Sequence, residues 1–198
     1  MRLITRLCVA ALLGPPLAAC TGPTVITTDD TVTAPPASPS APETTRPSNV
    51  HLANAFTYAI PGAADGTTVY AFTTPSGRWQ CQITPRTQAS CGKAGTTATA
   101  IGITGAPDEV PAADGETATP TALLVDRTGA PQFAALPAST IDDPPVLPFN
   151  RILAVAGFRC NVQEASGVSC LSELSGKGFT FSADGFTTAY TDVPADAP

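Results

Sequence analysis

Two stretches of this chain follow one pattern: "GRWQCQITPRTQASC", Gly77 to Cys91, and "GFRCNVQEASGVSC", Gly157 to Cys170. Each has an aromatic two residues before a cysteine, then an amide, a β-branched residue, a polar stretch and Ser-Cys, with nine residues between the cysteines. The two-residue period of a strand accounts for the spacing. In the first module Trp79, Cys81 and Ile83 share one face, and Arg78, Gln80 and Gln82 share the other. Folding the segment as an antiparallel hairpin sets Cys81 opposite Cys91, Gln82 opposite Ser90 and Ile83 opposite Ala89, with Thr84 to Gln88 as the loop. In the second, Cys160 opposes Cys170, Val162 opposes Val168, and Gln163 to Gly167 form the loop. Directly opposed antiparallel residues have Cα atoms about 4.5–5.5 Å apart, within disulfide reach. The expected pairing is therefore Cys81–Cys91 and Cys160–Cys170, with aromatics, sulfurs and β-branched residues inward and amides and charges outward. Cross-module pairing such as Cys81–Cys160 remains open. A four-cysteine zinc site is the other alternative, although zinc sites usually carry a C-x₂₋₄-C pair. The equal offset of the cysteines suggests an internal duplication.

Disulfides persist outside the cytoplasm, and the N-terminus points there. "MRLITRLCVAALLGPPLAAC" has basic Arg2 and Arg6, a short apolar run from Leu7 to Leu13, and small residues before Cys20. That is a secretory signal over 1–19, too short for a spanning helix. "LAAC" resembles the bacterial lipobox, in which the cysteine takes a diacylglyceryl group and becomes the first residue of the mature chain. The resemblance implies lipidation at Cys20 and a membrane partner reached through that anchor. Of six cysteines, Cys8 leaves with the signal and four remain for the domain. Formal charge is −6, and more negative once Arg2 and Arg6 are gone. Without a Lys/Arg cluster, nucleic acid is not an expected partner.

From 20 to 49 the chain is rich in Thr, Ser, Pro and Ala and has no aromatic. Such a composition buries too little apolar surface to offset chain entropy, so a disordered stalk is expected, with a composition suited to O-glycosylation. In a polyproline-like form it would extend about 3 Å per residue. Residues 50–66 read as a transition, either a short strand around Phe56, Tyr58 and Ile60 or a helical turn. From 67 to 192, short β-prone runs alternate with Gly/Pro turns: "TTVYAFTTP", "TATAIGITG", "TALLVD", "QFAALP", "NRILAVAG", "FRCNV", "GVSCLSEL" and "GFTFS". Residues 106–120 and 140–148 read as polar, Pro-rich loops, and 193–198 as a tail. The expected fold is all-β, a small disulfide-stapled antiparallel sandwich or barrel after the stalk. Ser182 can cap one short helix over 182–188.

Catalytic groups are sparse. His51 is the one histidine, which disfavours a Ser-His-Asp or Cys-His arrangement. No G-x-S-x-G is present. "SCGKAGTT" around Lys93 lacks both the leading Gly and the Ser/Thr that a phosphate loop needs. Paired carboxylates are the remaining enzymatic route, and Asp142-Asp143 reads as a loop rather than a cation site. No cofactor and no metal is expected.

With "TPSGRWQCQI", "GFRCNV", "GVSC" and "SGKGFTFS" together, the chain resembles small secreted proteins and lipoproteins of mycobacteria and related actinobacteria. Their domain of unknown function carries "PSG-x-x-x-C", then "GV-x-C" closely followed by "TGHGF-x-L-S". Pro75-Ser76-Gly77 and Cys81 match the first element, Gly167-Val168 and Cys170 the second. Ser175-Gly176-Lys177-Gly178-Phe179 matches the third, with Ser for Thr and Lys177 where the family has His. The resemblance implies an envelope lipoprotein with a disulfide-bonded β-rich domain and brings no known activity. The expected function is thus a membrane-anchored, non-catalytic module binding an envelope protein or glycan, with Gly176, Lys177, Gly178 and Phe179 as the candidate binding turn. A carboxylate-dependent envelope hydrolase and a lipid or small-molecule carrier are the alternatives.

Overall fold

The computed structural model describes residues 47–61 and 66–198. The expected signal peptide, Cys20 and the stalk up to residue 46 lie outside the described residues. The described residues belong to one compact unit, and it is all-β.

Its centre is the pair of cysteine hairpins. β3 (Trp79–Thr84) and β4 (Gln88–Lys93) pair with Cys81 opposite Cys91, Gln82 opposite Ser90 and Ile83 opposite Ala89. β10 (Phe158–Gln163) and β11 (Gly167–Ser172) pair with Cys160 opposite Cys170 and Val162 opposite Val168. Both registers are those the spacing predicts, and both bridges close within their own hairpin. The ladders run one pair further than expected, through Thr84–Gln88 and Gln163–Gly167, which shortens each loop to three residues.

Each hairpin is the middle of a larger antiparallel sheet. β1 (Ala59–Pro61) and β2 (Thr68–Thr73) precede the first hairpin, and β7 (Ala122–Asp126) and β8 (Gln132–Ala134) follow it, in the order β1-β2-β3-β4-β7-β8. β9 (Ile152–Val155) precedes the second hairpin, and β12 (Gly178–Phe181) and β13 (Phe186–Thr187) follow it, in the order β13-β12-β11-β10-β9. A small hairpin, β5 (Val110–Pro111) with β6 (Thr117–Ala118), interrupts the expected loop between β4 and β7.

The two large sheets face each other and bury the inward residues of both modules. Phe72, Ile83, Cys91, Leu123, Phe158, Cys170, Phe179 and Phe181 belong to one core. Trp79 meets Phe181 edge-on at 5.1 Å, the T-shaped geometry that aromatic quadrupoles favour. At the middle of the sandwich the bridges touch, with Cys91 Sγ 3.7 Å from Cys170 Sγ. One flank is joined by Phe133 of β8 packed edge-on against Phe186 of β13 at 4.8 Å. On the other, Leu52 bridges Ile152 in parallel, and a 3₁₀ turn over Ala55–Tyr58 leads into β1. Asn54 caps this turn by accepting a hydrogen bond from the Phe56 N–H. The sandwich is thus tied across both flanks, which leaves less open strand edge for unwanted pairing.

Several expectations change. "TATAIGITG" is not a strand: Ile101 and Ile103 are buried, but Gly102 and Gly105 adopt positive φ and break any ladder. Residues 182–188 form no helix and contain β13. The described part of 50–66 belongs to the fold, and so does the start of the expected tail, where Val193 is buried. The outward face of the second hairpin is covered rather than solvated. Arg159, Asn161, Gln163, Ser169 and Thr180 are all buried there.

Candidate functional site

That buried polar face is built by the two ends of the domain lying across the second sheet. The C-terminal segment supplies acceptors. Asn161 Nδ2 donates to Tyr190 Oη and to the Thr191 carbonyl, both at 2.9 Å. Gln163 Nε2 donates to the carbonyls of Thr191 and Asp192. Thr180 Oγ1 donates to the Ala189 carbonyl at 2.8 Å. Buried amides and hydroxyls need such partners, because an unpaired one costs about 1–3 kcal/mol.

The N-terminal root of the domain is held by charges. Arg159 Nη1 donates to the Ser48 carbonyl at 2.7 Å, and Nη2 to Asn49 Oδ1 at 3.0 Å. The same guanidinium pairs with Glu173 Oε1 at 3.2 Å through both Nε and Nη2. From the other side, the Ser48 N–H donates to Asp192 Oδ2 at 2.5 Å. A single residue, Ser48, is therefore gripped at both backbone polar groups. His51 adds a contact from Nε2 to the Ala195 carbonyl at 3.2 Å.

Beside this clamp is a hollow of about 690 Å³, bordered by Asn49, Arg159, Leu171, Glu173, Lys177 and Tyr190. Its size falls within the range of small-ligand sites, about 300–1,000 Å³. Burial, reinforced by the Asp192 carboxylate, pushes the Tyr190 phenol well above its ordinary value, so Tyr190 stays neutral and hydrogen-bonding. Glu173 is the one carboxylate on its border among the described residues.

The predicted binding turn divides here. Gly176 and Lys177 form the turn between β11 and β12, with the Ser172 N–H donating to the Lys177 carbonyl at 2.9 Å. Gly176 sits at φ +68°, a conformation that suits glycine. Gly178 is needed for packing, since a Cβ there would lie 2.4 Å from the Cys170 carbonyl oxygen. Both glycines thus have structural reasons, which leaves Lys177 as the side chain of the turn that can contact a ligand; its charge also helps to hold the Asp126 carboxyl low. Phe179, grouped with the turn on sequence, is a core residue instead, fully buried with its ring 5.9 Å from that of Phe181. It faces the sandwich interior because strand alternation sets it, with Phe181, on the face opposite Gly178 and Thr180, whereas Lys177 precedes the strand.

A second hollow of about 340 Å³ lies over β3, β4 and β7, floored by Gln80, Gln82, Gln88 and Ser90. Gln80 Nε2 is committed to Ser139 Oγ and the Ile141 carbonyl. The sulfurs of Cys81, Cys91 and Cys170 lie within 4.8 Å of one another. They are in disulfides and offer no thiolate to a metal.

Sequence reasoning missed Arg159, Asp192 and Tyr190. Arg159 follows Phe158 in an alternating strand and reads as outward and solvated; only its place among a run of polar residues in a β-rich segment hinted otherwise. No family model matches the chain, and no curated protein or solved structure was found to be similar to it.

Proposed function

We propose that this protein is a lipid-anchored envelope protein, held through Cys20 to the outer face of the cytoplasmic membrane, whose β domain is a non-catalytic module that binds an envelope protein or glycan. The observation that carries the binding reading is the hollow beside Lys177. It combines volume, a neutral phenol, an apolar wall at Leu171 and a cation that makes no ion pair among the described residues. The anchoring reading rests on the "LAAC" stretch and the Thr/Ser/Pro-rich run behind it.

Three experiments test this. A photo-crosslinker placed at Thr188, on the border of the hollow, should capture an envelope partner in cells. Capture should be lost with Lys177→Glu and kept with Lys177→Arg. Hydrolysis of an envelope substrate by the purified protein would overturn the non-catalytic reading. Changing Cys20 to Ala should release the processed protein from the membrane fraction, and continued retention would refute the anchor.

A further inference from the structure

Of the six exposed large apolar side chains among the described residues, Leu174 stands apart after β11. The other five, Val50, Leu52, Phe56, Val146 and Phe149, fall on the segment that leads back toward Cys20 and on the one before β9, with Phe56 exposed to 89%. Backbone contacts hold them on two neighbouring segments. Leu52 bridges Ile152, three residues past Phe149, and the Ala53 N–H donates to the Ile152 carbonyl at 2.8 Å. The Tyr58 hydroxyl, two residues past Phe56, reaches the Val146 carbonyl at 3.3 Å. Grouped apolar side chains of this size on a soluble surface mark an interaction site.

Where the incoming chain is first held says what covers them. Ser48 is gripped by Arg159 and Asp192, and Phe56 is only eight residues further on, at most about 29 Å along the chain. Fewer than thirty residues separate Ser48 from Cys20. The clamp therefore fixes the chain at Ser48, whose Oγ accepts from the N–H of Val50 at 3.1 Å, so the point of departure adjoins the Val50 end of the patch. We infer that this patch is a membrane-docking surface, inserting Phe56, Phe149 and their aliphatic neighbours into the bilayer interface. The inference rests on the anchored reading above and goes beyond it, since a tethered domain need not touch its membrane. Charges flanking the patch on its own segments are Arg151 on one side of the balance and Asp142 and Asp143 on the other. They do not favour anionic lipid, so docking is by apolar insertion and is insensitive to salt.

The test uses the chain from Cys20 onward, which contains the whole described domain. Cys20, the thiol left outside the two disulfides, is coupled to a maleimide lipid in phosphatidylcholine vesicles. The readout then does not depend on whether a cell acylates Cys20, which the Cys20→Ala fractionation decides separately. Phe56→Trp reports contact through quenching by brominated phosphatidylcholine, and the unaltered coupled chain, whose Trp79 is buried, is the blank. Quenching at least twofold above the blank, kept at high salt and removed by adding Leu52→Asp and Phe149→Asp, is the expected result. Both sites are exposed, and an unchanged melting curve checks that the fold is kept. Quenching no greater than the blank overturns the inference. So does protection of the Phe56→Trp indole from aqueous acrylamide in the uncoupled protein together with dimer sedimentation, which assigns the patch to a second copy.

Discussion

Removing one bridge tests the central claim about how the domain is held. Replacing Cys160 and Cys170 by Ala frees a loop whose ends are 10 residues apart in sequence. The chain-entropy relation for a loop of about eleven residues gives about 2.8 kcal/mol at 25 °C. Two fully buried sulfurs are lost as well, one of them in contact with Cys91. At about 0.8 kcal/mol for each group of methylene size, that adds about 1.5 kcal/mol. The expected loss is therefore about 4 kcal/mol, a fall in Tm of roughly 8–16 °C for a domain of this size. Urea unfolding followed by Trp79 fluorescence measures it. The m-value should rise, because the freed unfolded chain exposes more surface. The Cys81–Cys91 bridge has the same separation of 10, so replacing that pair should cost the same to within about 1 kcal/mol, any difference reporting packing alone. A loss under about 1 kcal/mol with an unchanged m-value would falsify the staple argument. So would losses for the two pairs that differ by more than about 2 kcal/mol, given their equal loops.

Other consequences are open to direct measurement. Phe181→Ala removes the edge-on partner of Trp79 from a closed core and should cost about 3–5 kcal/mol by urea unfolding, with a red shift of Trp79 emission. Arg159→Ala should leave the Ser48 carbonyl without its donor and make cleavage near residues 47–51 several-fold faster in limited proteolysis, while Asp192→Asn should give a smaller effect of the same sign. Asp126 accepts from the backbone N–H groups of Gly129 and Thr128, which hold its carboxyl below the usual range. Its folded value being depressed, its contribution is present above the unfolded carboxylate value and is lost as pH falls through the folded one. Asp126→Asn should therefore slightly flatten the loss of stability below about pH 4, read by acid unfolding. Tyr190 has the opposite sense. Its folded value is raised by burial, so its contribution is intact below the ordinary phenol value near 10 and is lost as pH rises past it. Tyr190→Phe should flatten alkaline destabilisation above about pH 10, read by thermal melts.

The parts of the fold legible in the sequence were those governed by the period of two. Trp79, Cys81 and Ile83, with Cys91 and Ala89 opposite, could occupy one face only in one register, and β3–β4 adopts it. The same holds for Phe158, Cys160 and Val162 against Cys170 and Val168. Alternation does not say what covers the other face. Asn161 and Gln163 read as solvated because they are covered by Tyr190, Thr191 and Asp192, some thirty residues away and themselves in no strand, and Arg159 because its partners Ser48 and Asn49 lie at the far N-terminal end of the domain. The "TATAIGITG" segment failed for a local reason, since Ile101 and Ile103 satisfy a strand pattern while Gly102 at φ +66° denies it. Of the candidate site, the turn at Gly176 and Lys177 could be found from its glycines. The hollow beside it could not, being assembled from the two ends of the domain.

The grip on Ser48 also defines a load path. Tension arriving along the chain from the N-terminal side meets the domain at Arg159, in β10 and next to Cys160. That strand is internal to its sheet and stitched covalently to β11 through Cys160–Cys170. A pull is thus delivered to the interior of a cross-linked hairpin before it reaches the three-residue edge strand β1. The incoming chain is held first at a covalently cross-linked hairpin, and the shortest edge strand lies behind that hold.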